Sequence, residues 1–469
     1  MTDSTNPTLT ALATLASQTP SIQYIPPSSP DFDQLRTIYA HPEITPLAIL
    51  RPTTEPALAS TISFLARNQI DFTIRAGGHD MHGRSTKTDT VVVDLRLLNT
   101  VRVDPSSSTA TIAGGALIRD VIATLQSAGY ITPIGSIASV GYAGWAMYGG
   151  YGAYSSRFGL GVDQIVGARV VTVTGETITA DKDLLKAIRG AGGAFGVLAE
   201  VTVKVYKLDR ILAGIVVFDS GDLPGVIRKF EEGYRTLSSE GQGLPAALGI
   251  HQVVLNFPTA TFGVLVLWAD EDIKAGEAWV DKICALGPVA SRTVTGTTPL
   301  AWLDEQSKLV AQSTQGRMWT VNLRRITDEV ARVIGDFTGN GRFPADPHVL
   351  FDIHELRAGS PSVGSETRAG AGAGKDSVFN ARDPHFVIEI CPTVSYQVKL
   401  KGAMTWGREF CDALKATDRG NILDASYVSF LAEDEFDHER VYGEDLGFLR
   451  DVKGRLDPGN VFRNAISYL

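Results

Sequence analysis

The chain has 469 residues, 44% hydrophobic and 20% charged, a globular balance too long for one small core, so two domains are expected. Its formal net charge of -9 and its lack of a basic block exclude nucleic acid and anionic lipid as partners and favour a small-molecule substrate. Three scattered cysteines, Cys284, Cys391 and Cys411, give no zinc or disulfide pattern, so no metal is expected, and no run approaches the roughly 20 apolar residues of a membrane helix.

Residues 1–40 carry weak signals and are expected to be loosely specified. The stretch ILRPTTEPALASTISFLARNQ predicts a helix over roughly Glu55–Asn68, with Ala57, Ile62, Leu65 and Ala66 on its apolar face. DFTIRAGG reads as a strand ending in a glycine turn, TVVVDLRLL as a second strand, and TVRVDPSSSTATIAGG as two more around a Pro/Ser turn. IRDVIATLQSAG predicts a helix with a glycine stop, ARVVTVTGETITA a hairpin, and FGVLAEVTVKVYKL a long strand. This non-alternating order predicts an α+β arrangement rather than a doubly wound sheet.

From about Arg210, strands such as ALGIHQVVL, FGVLVLWAD, HVLFDIHEL and HFVIEICPTV alternate with helices such as GVIRKFEEGYRTL and TDEVARVIGDF. Their apolar–polar alternation predicts an antiparallel sheet with one covered face. Residues 360–375 have the composition of a flexible surface loop. The N-terminus lacks a basic n-region and an apolar stretch, and Asn6-Pro7-Thr8 is blocked as a glycosylation site by its proline, so an intracellular, cytoplasmic protein is expected.

Two segments carry chemistry. In Arg75-Ala76-Gly77-Gly78-His79-Asp80, paired glycines free the backbone so that N–H groups can converge on an anion such as a pyrophosphate. The bare pattern equally fits a tight turn with a surface histidine. Between 135 and 152, Gly135, Gly141, Gly144, Gly149, Gly150 and Gly152 interleave with Tyr142, Trp145, Tyr148 and Tyr151. That density suits close approach of backbone to a flat ligand between aromatic walls, or a glycine-rich structural loop. Other motifs fail: GAGAGK at 370–375 lacks the first glycine of a phosphate loop, RGAGGAFG is no dinucleotide fingerprint, and His79-x-x-His82 has no carboxylate to complete a metal site.

Taken together, RAGGHD, VVVDLRLLN, VGYAGWAMYGGYG, GLGVDQI, RGAGGAFGV and the terminal RLDPGNVF resemble, in order and over nearly the whole chain, the berberine bridge enzyme-like branch of the vanillyl-alcohol oxidase flavoproteins. The resemblance implies a two-lobed α+β fold: an FAD lobe over 1–207, a substrate lobe with an antiparallel sheet over 208–415, and a segment over 416–469 that returns to the FAD lobe. It implies FAD linked covalently to His79, with the turn from Arg75 to Gly83 holding the diphosphate. Val201 in the FGVLAEV strand and Asn464 after RLDPGNVF are assigned to the cofactor as well.

Where many relatives carry a second, cysteinyl link, this chain has Ile137, so one covalent bond is expected. Trp145 replaces a histidine that many relatives set beside the reduced flavin. Val140 matches the valine of oxygen-reactive members, which implies molecular oxygen as the oxidant. Glu389 aligns with the family's catalytic base, and Tyr427 with the tyrosine of its Y-x-N element, where Ser429 replaces the asparagine. The implied reaction is hydride transfer from an alcohol or amine C–H of a small substrate, aromatic or of secondary-metabolite type, with peroxide as by-product. A dehydrogenase, an oxidative cyclase and a non-redox binding module remain as alternatives, and the oligomeric state stays open.

Overall fold

Apolar runs of four or five residues, Ala48–Pro52 and Val91–Asp94, are the kind that a sheet covered on both faces requires. They pair in parallel at the centre of a four-stranded sheet ordered Ile22–Ile25, Ala48–Pro52, Val91–Asp94, Phe72–Arg75. The structure, a computed structural model, describes residues 6–469 apart from 242, 257, 309–313, 364–375, 425–426 and 467–468. The helix Glu55–Arg67 starts where Thr54 accepts from the Ala57 N–H, with Pro56 in its first turn, and it buries Leu58, Ile62 and Leu65 against this sheet.

The N-terminal segment is more ordered than its sequence promised. Asn6 caps the helix Pro7–Gln18, which buries Leu9, Leu12 and Leu15, and Ile22–Ile25 pairs antiparallel with Ala48–Pro52. The second strand stops at Asp94 and gives way to a 3-10 turn over Leu95–Leu97. A five-stranded antiparallel sheet follows, ordered Val101–Asp104, Thr109–Ala113, Val197–Lys204, Ile165–Val171, Thr177–Thr179.

The second half forms an eight-stranded antiparallel sheet. Its main path runs Val289–Arg292, Ile211–Phe218, Ala260–Trp268, Leu248–Asn256, Val349–Leu356, His385–Pro392, Trp319–Leu323. Helices Leu223–Ser239, Ile273–Cys284, Asp328–Thr338 and Gln397–Lys415 cover one face through Phe230, Ile283, Ile334 and Phe410. The other face is covered too. Val253, Leu265 and Ala213 share a core with Trp145, Ile134 and Leu198 of the first half. Leu248 to Val254 are therefore buried without a break, which corrects the expectation of one covered face.

The expected loop at 360–375 falls mostly outside the described residues. Its first part is buried: the Ser360 hydroxyl donates to the Ser155 carbonyl at 2.6 Å, and the Ser362 hydroxyl to Asp163. Among the described residues no helix is long and apolar enough to cross a membrane.

The last helix, Leu446–Leu456, ties the C-terminus to the first half. Lys453 Nζ donates to the Ala194 carbonyl and to Asp457, both at 2.8 Å, and Asp457 accepts from the Val461 and Phe462 N–H groups. Asn464 Nδ2 donates to the Phe72 carbonyl at 2.8 Å. Replacing Asp457 by Ala leaves a buried ammonium without its counter-charge and two N–H groups unpaired, so urea unfolding should show a loss of about 3 kcal/mol.

Candidate active site

The strand Phe72–Arg75 delivers its last residue into the core. Arg75 is buried, its guanidinium donating to the Leu35 carbonyl and, at 2.6 Å, to the Thr37 carbonyl. Burial and the nearby Arg96 pull its pKa down to about 10. With Arg75 pinned, the chain turns through Gly77 and Gly78 and presses against the glycine-rich segment. A Cβ on Gly77 would lie 2.4 Å from the Gly141 nitrogen and 2.5 Å from the Ser139 carbonyl oxygen. Gly78 adopts φ 77°, a conformation that glycine takes without strain.

This contact places His79. Its Nε2 lies 2.8 Å from the Ser139 hydroxyl, and its ring stacks on Tyr39 with centroids 4.7 Å apart. Burial, then the charge of Arg75, pulls its pKa down to about 4, so the imidazole is neutral at neutral pH. Ser139 engages Nε2 and leaves Nδ1 as the available nitrogen. Asp80 accepts from the His82 and Arg84 N–H groups and from the Arg84 guanidinium at 2.6 Å, which stiffens the turn.

A long cavity runs from this turn to the face of the eight-stranded sheet. Ala76, Gly77, Gly78, His79 and Asp80 line one wall, and Gly135, Val140, Gly141, Gly144 and Trp145 another, with Asn464 beside them. Gly144 and Gly193 present bare backbone to open space, with nothing within 4 Å of a Cβ on either. The buried Ser85 hydroxyl also reaches the wall and has no hydrogen-bond partner there. Bare glycine backbone, aromatic walls and an orphaned hydroxyl fit a flat ring system with a polar tail, as FAD has. Trp145 cannot offer its N–H to such a ligand, because Nε1 donates to the Tyr151 carbonyl at 3.1 Å.

Six residues assigned to the cofactor from sequence do not line the cavity. Arg75 is spent on the carbonyls of Leu35 and Thr37. Gly83 packs against Ile44 and Gly149 against Phe379; Gly150 packs on Gly161, and Gly152 on the Ile134 carbonyl, so each faces protein rather than the cavity. Val201 is fully buried in mid-strand, paired with Ile112 and Ala168, while Val197 and Leu198 at the start of that strand reach the cavity instead.

At the sheet end the cavity meets Glu389 and Tyr427, as the sequence suggested, and three residues that it did not single out: His251, Asp352 and His354. Asp352 faces Glu389 across neighbouring strands, and His251 faces His354. His354 Nε2 lies 3.6 Å from Glu389 Oε1, and His251 Nε2 lies 3.4 Å from Asp352 Oδ2. Burial, then the charge of Asp352, pushes the Glu389 carboxyl well above the ordinary carboxylate range. Burial likewise pulls His354 well below its usual range. Tyr427 is buried and packs edge-on to Tyr151 at 4.8 Å; burial raises its phenol, so it stays a neutral donor.

Ligand atoms of His251, Asp352 and His354 lie within 4.8 Å of one another, which on distance alone suits a metal. The two imidazoles stack, with centroids 3.8 Å apart and planes 22° from parallel, so their lone pairs do not converge on one ion. The sequence did hold a signal for this group: polar residues at alternate positions of FDIHEL, and a histidine inside the otherwise apolar ALGIHQVVL.

Residues 46–181 match the FAD binding domain family, and residues 426–467 match the berberine and berberine like family. The FAD-linked oxidoreductase aurO of Gibberella zeae is 30% identical over 463 residues, covering 97% of this chain and 87% of that protein. The chain belongs to the berberine bridge enzyme-like FAD-linked oxidoreductases. (R)-6-hydroxynicotine oxidase of Paenarthrobacter nicotinovorans is 34% identical over 202 residues, 42% of this chain and 44% of that protein. Among solved structures, wild-type Physcomitrella patens BBE-like 1 superposes with a TM-score of 0.78 at 18% identity over 96% of this chain and 97% of that one. The fold is thus the two-lobed α+β fold of these flavoproteins.

If bare backbone at Gly144 is what admits the flavin, Gly144→Leu should fold normally, with an unchanged circular dichroism spectrum. Its bound flavin, read by absorbance, should fall by about tenfold, the equivalent of 1.4 kcal/mol.

Proposed function

We propose that this oxidoreductase is an oxidase that removes a hydride from an alcohol or amine C–H of a small substrate, with oxygen reduced to hydrogen peroxide. One arrangement carries the reading: a single cavity joins a neutral, positioned histidine at one end to a buried carboxylate on the sheet at the other. FAD, when bound, supplies the hydride acceptor and passes the electrons to oxygen. A single covalent link through His79 is part of this reading; it is supported by Ser139 engaging Nε2, which leaves Nδ1 available, and by Ile137 rather than a cysteine on the wall.

The sheet end does the proton work. Glu389 is buried yet reaches the cavity, so its carboxylate is a strong base that accepts a proton as the C–H bond breaks. Tyr427 stays protonated and orients the substrate oxygen or nitrogen by donating to it. Val253, Leu255 and Leu265 give the substrate body an apolar seat. Water is kept out by the same walls, which strengthens both interactions.

The base must be ionised to act, so flavin reduction under anaerobic stopped flow should accelerate with rising pH. Since the Glu389 pKa is raised, the rise should lie well above the ordinary carboxylate range. Glu389→Gln should slow reduction by 100-fold or more, on the order expected for a lost general base, and abolish that pH limb while leaving reoxidation by oxygen unchanged. Equal reduction rates in the two proteins would remove Glu389 from this role.

A further inference from the structure

The proton-accepting site has more members than one base requires. Three adjacent strands, Leu248–Asn256, Val349–Leu356 and His385–Pro392, place two carboxylate–histidine pairs side by side on the face that meets the cavity. Asp352 and Glu389 are register partners, and both line the cavity. The histidines that flank them stack on each other at 3.8 Å. His251 Nε2 and Asp352 Oδ1 are buried and have no hydrogen-bond partner, so the cluster is built to engage something in the cavity. Among the described residues no lysine or arginine pairs with either carboxylate.

We propose that Asp352 and Glu389 act as one proton-sharing pair, served by His354 and His251, and that the pair takes the proton of a neutral hydroxyl on an apolar, ring-shaped substrate. The inference deepens the oxidase reading above and rests on it.

The charge around the pair selects that substrate. Burial, with the charge of its register partner Asp352, holds the Glu389 carboxyl well above the ordinary carboxylate range, so the pair keeps a proton at neutral pH and carries one negative charge. Tyr151, Tyr427 and Cys391 also face the pair, and burial keeps all three protonated. Thr320, the register partner of Glu389 on its other side, is uncharged. Arg84 is the one cationic side chain among the described lining residues, and it is held by Asp80 and by the Ser429 and Leu431 carbonyls. A carboxylate or phosphate on the substrate would meet like charge with no counter-ion. A hydroxyl meets one carboxylate ready to accept and one carboxyl ready to donate.

The step balances without a further reactant. The hydroxyl proton passes to the carboxylate pair, the carbon–oxygen bond becomes a carbonyl, and the C–H electron pair leaves as hydride to the cofactor. His354 and His251 pass the proton onward, and it is returned as oxygen is reduced to peroxide.

The test uses the holoenzyme, with the flavin absorption spectrum reporting occupancy and with phenol, benzylamine and benzoate as probes. Phenol should perturb the wild-type spectrum at neutral pH, and benzoate should bind at least tenfold more weakly. The double variant Asp352→Asn/Glu389→Gln should raise benzoate affinity on the order of tenfold by removing the buried negative charge, whereas each single variant, made as well so that one misfolded protein does not decide the matter, keeps one carboxylate and still disfavours benzoate. In wild type, benzoate binding should strengthen as the pH falls and the pair gains its second proton; the midpoint of this dependence should move in each single variant, where the remaining carboxyl has lost its partner, and the dependence should vanish in the double variant. Three outcomes overturn the proposal: benzoate binding wild type as well as phenol or benzylamine does, Asp352→Asn keeping the wild-type pH midpoint, or the double variant still rejecting benzoate. A colourless protein would refute the oxidase reading instead, and the same three probes followed by calorimetry would still test the pair.

Discussion

Two loops that are distant in sequence meet backbone to backbone, and the site depends on that contact. Gly77 touches Ser139 and Gly141 so closely that no side chain fits between them. The turn that follows Phe72–Arg75 is thereby locked to the glycine-rich segment, which lies between the strands Thr109–Ala113 and Ile165–Val171 of the five-stranded sheet. His79 and Ser139 come within hydrogen-bond distance only because their backbones are in contact. The nitrogen of the histidine that Ser139 engages, and the one it leaves facing away, follow from the same contact.

The second half solves a different problem. Its sheet is buried on both faces, by four helices behind and by the first half in front. Such a sheet should be uniformly apolar, and over most of its width it is. The carboxylates and histidines of this sheet that face the cavity, Asp352 and Glu389 with His251 and His354, sit together on three adjacent central strands, so the energetic cost of burying them falls at one place. Burial then does chemical work: it raises the carboxyl of Glu389, lowers His354 and keeps the tyrosines protonated. The return of the C-terminal segment through Asp457 and Asn464 closes the far end of the cavity.

The sequence made part of this legible. The helix Glu55–Arg67 announces itself by a cap, a proline and a 3.6-residue apolar period, all of them local signals. The glycines of the His79 turn could be recognised as a group, but their separate jobs could not. Whether a glycine opens onto a ligand, like Gly144, or onto another backbone, like Gly152, depends on what packs against it. Trp319–Leu323 escaped notice because Thr320 and Asn322 interrupt its apolar pattern. His251, Asp352 and His354 were missed because about 100 residues separate the first from the others, and only strand register brings them together. The order of the N-terminus was likewise hidden in a long-range pairing with Ala48–Pro52.

The central claim is that the cavity holds a flavin bonded to His79 alone. The most direct measurement is the intact mass of the protein after acid denaturation, followed by peptide mapping. The account predicts one FAD per chain, retained through denaturation, mapped to His79 and released as free flavin from His79→Ala. A chain from flavin-replete cells with the mass of bare polypeptide, or an adduct that persists in His79→Ala, would contradict it.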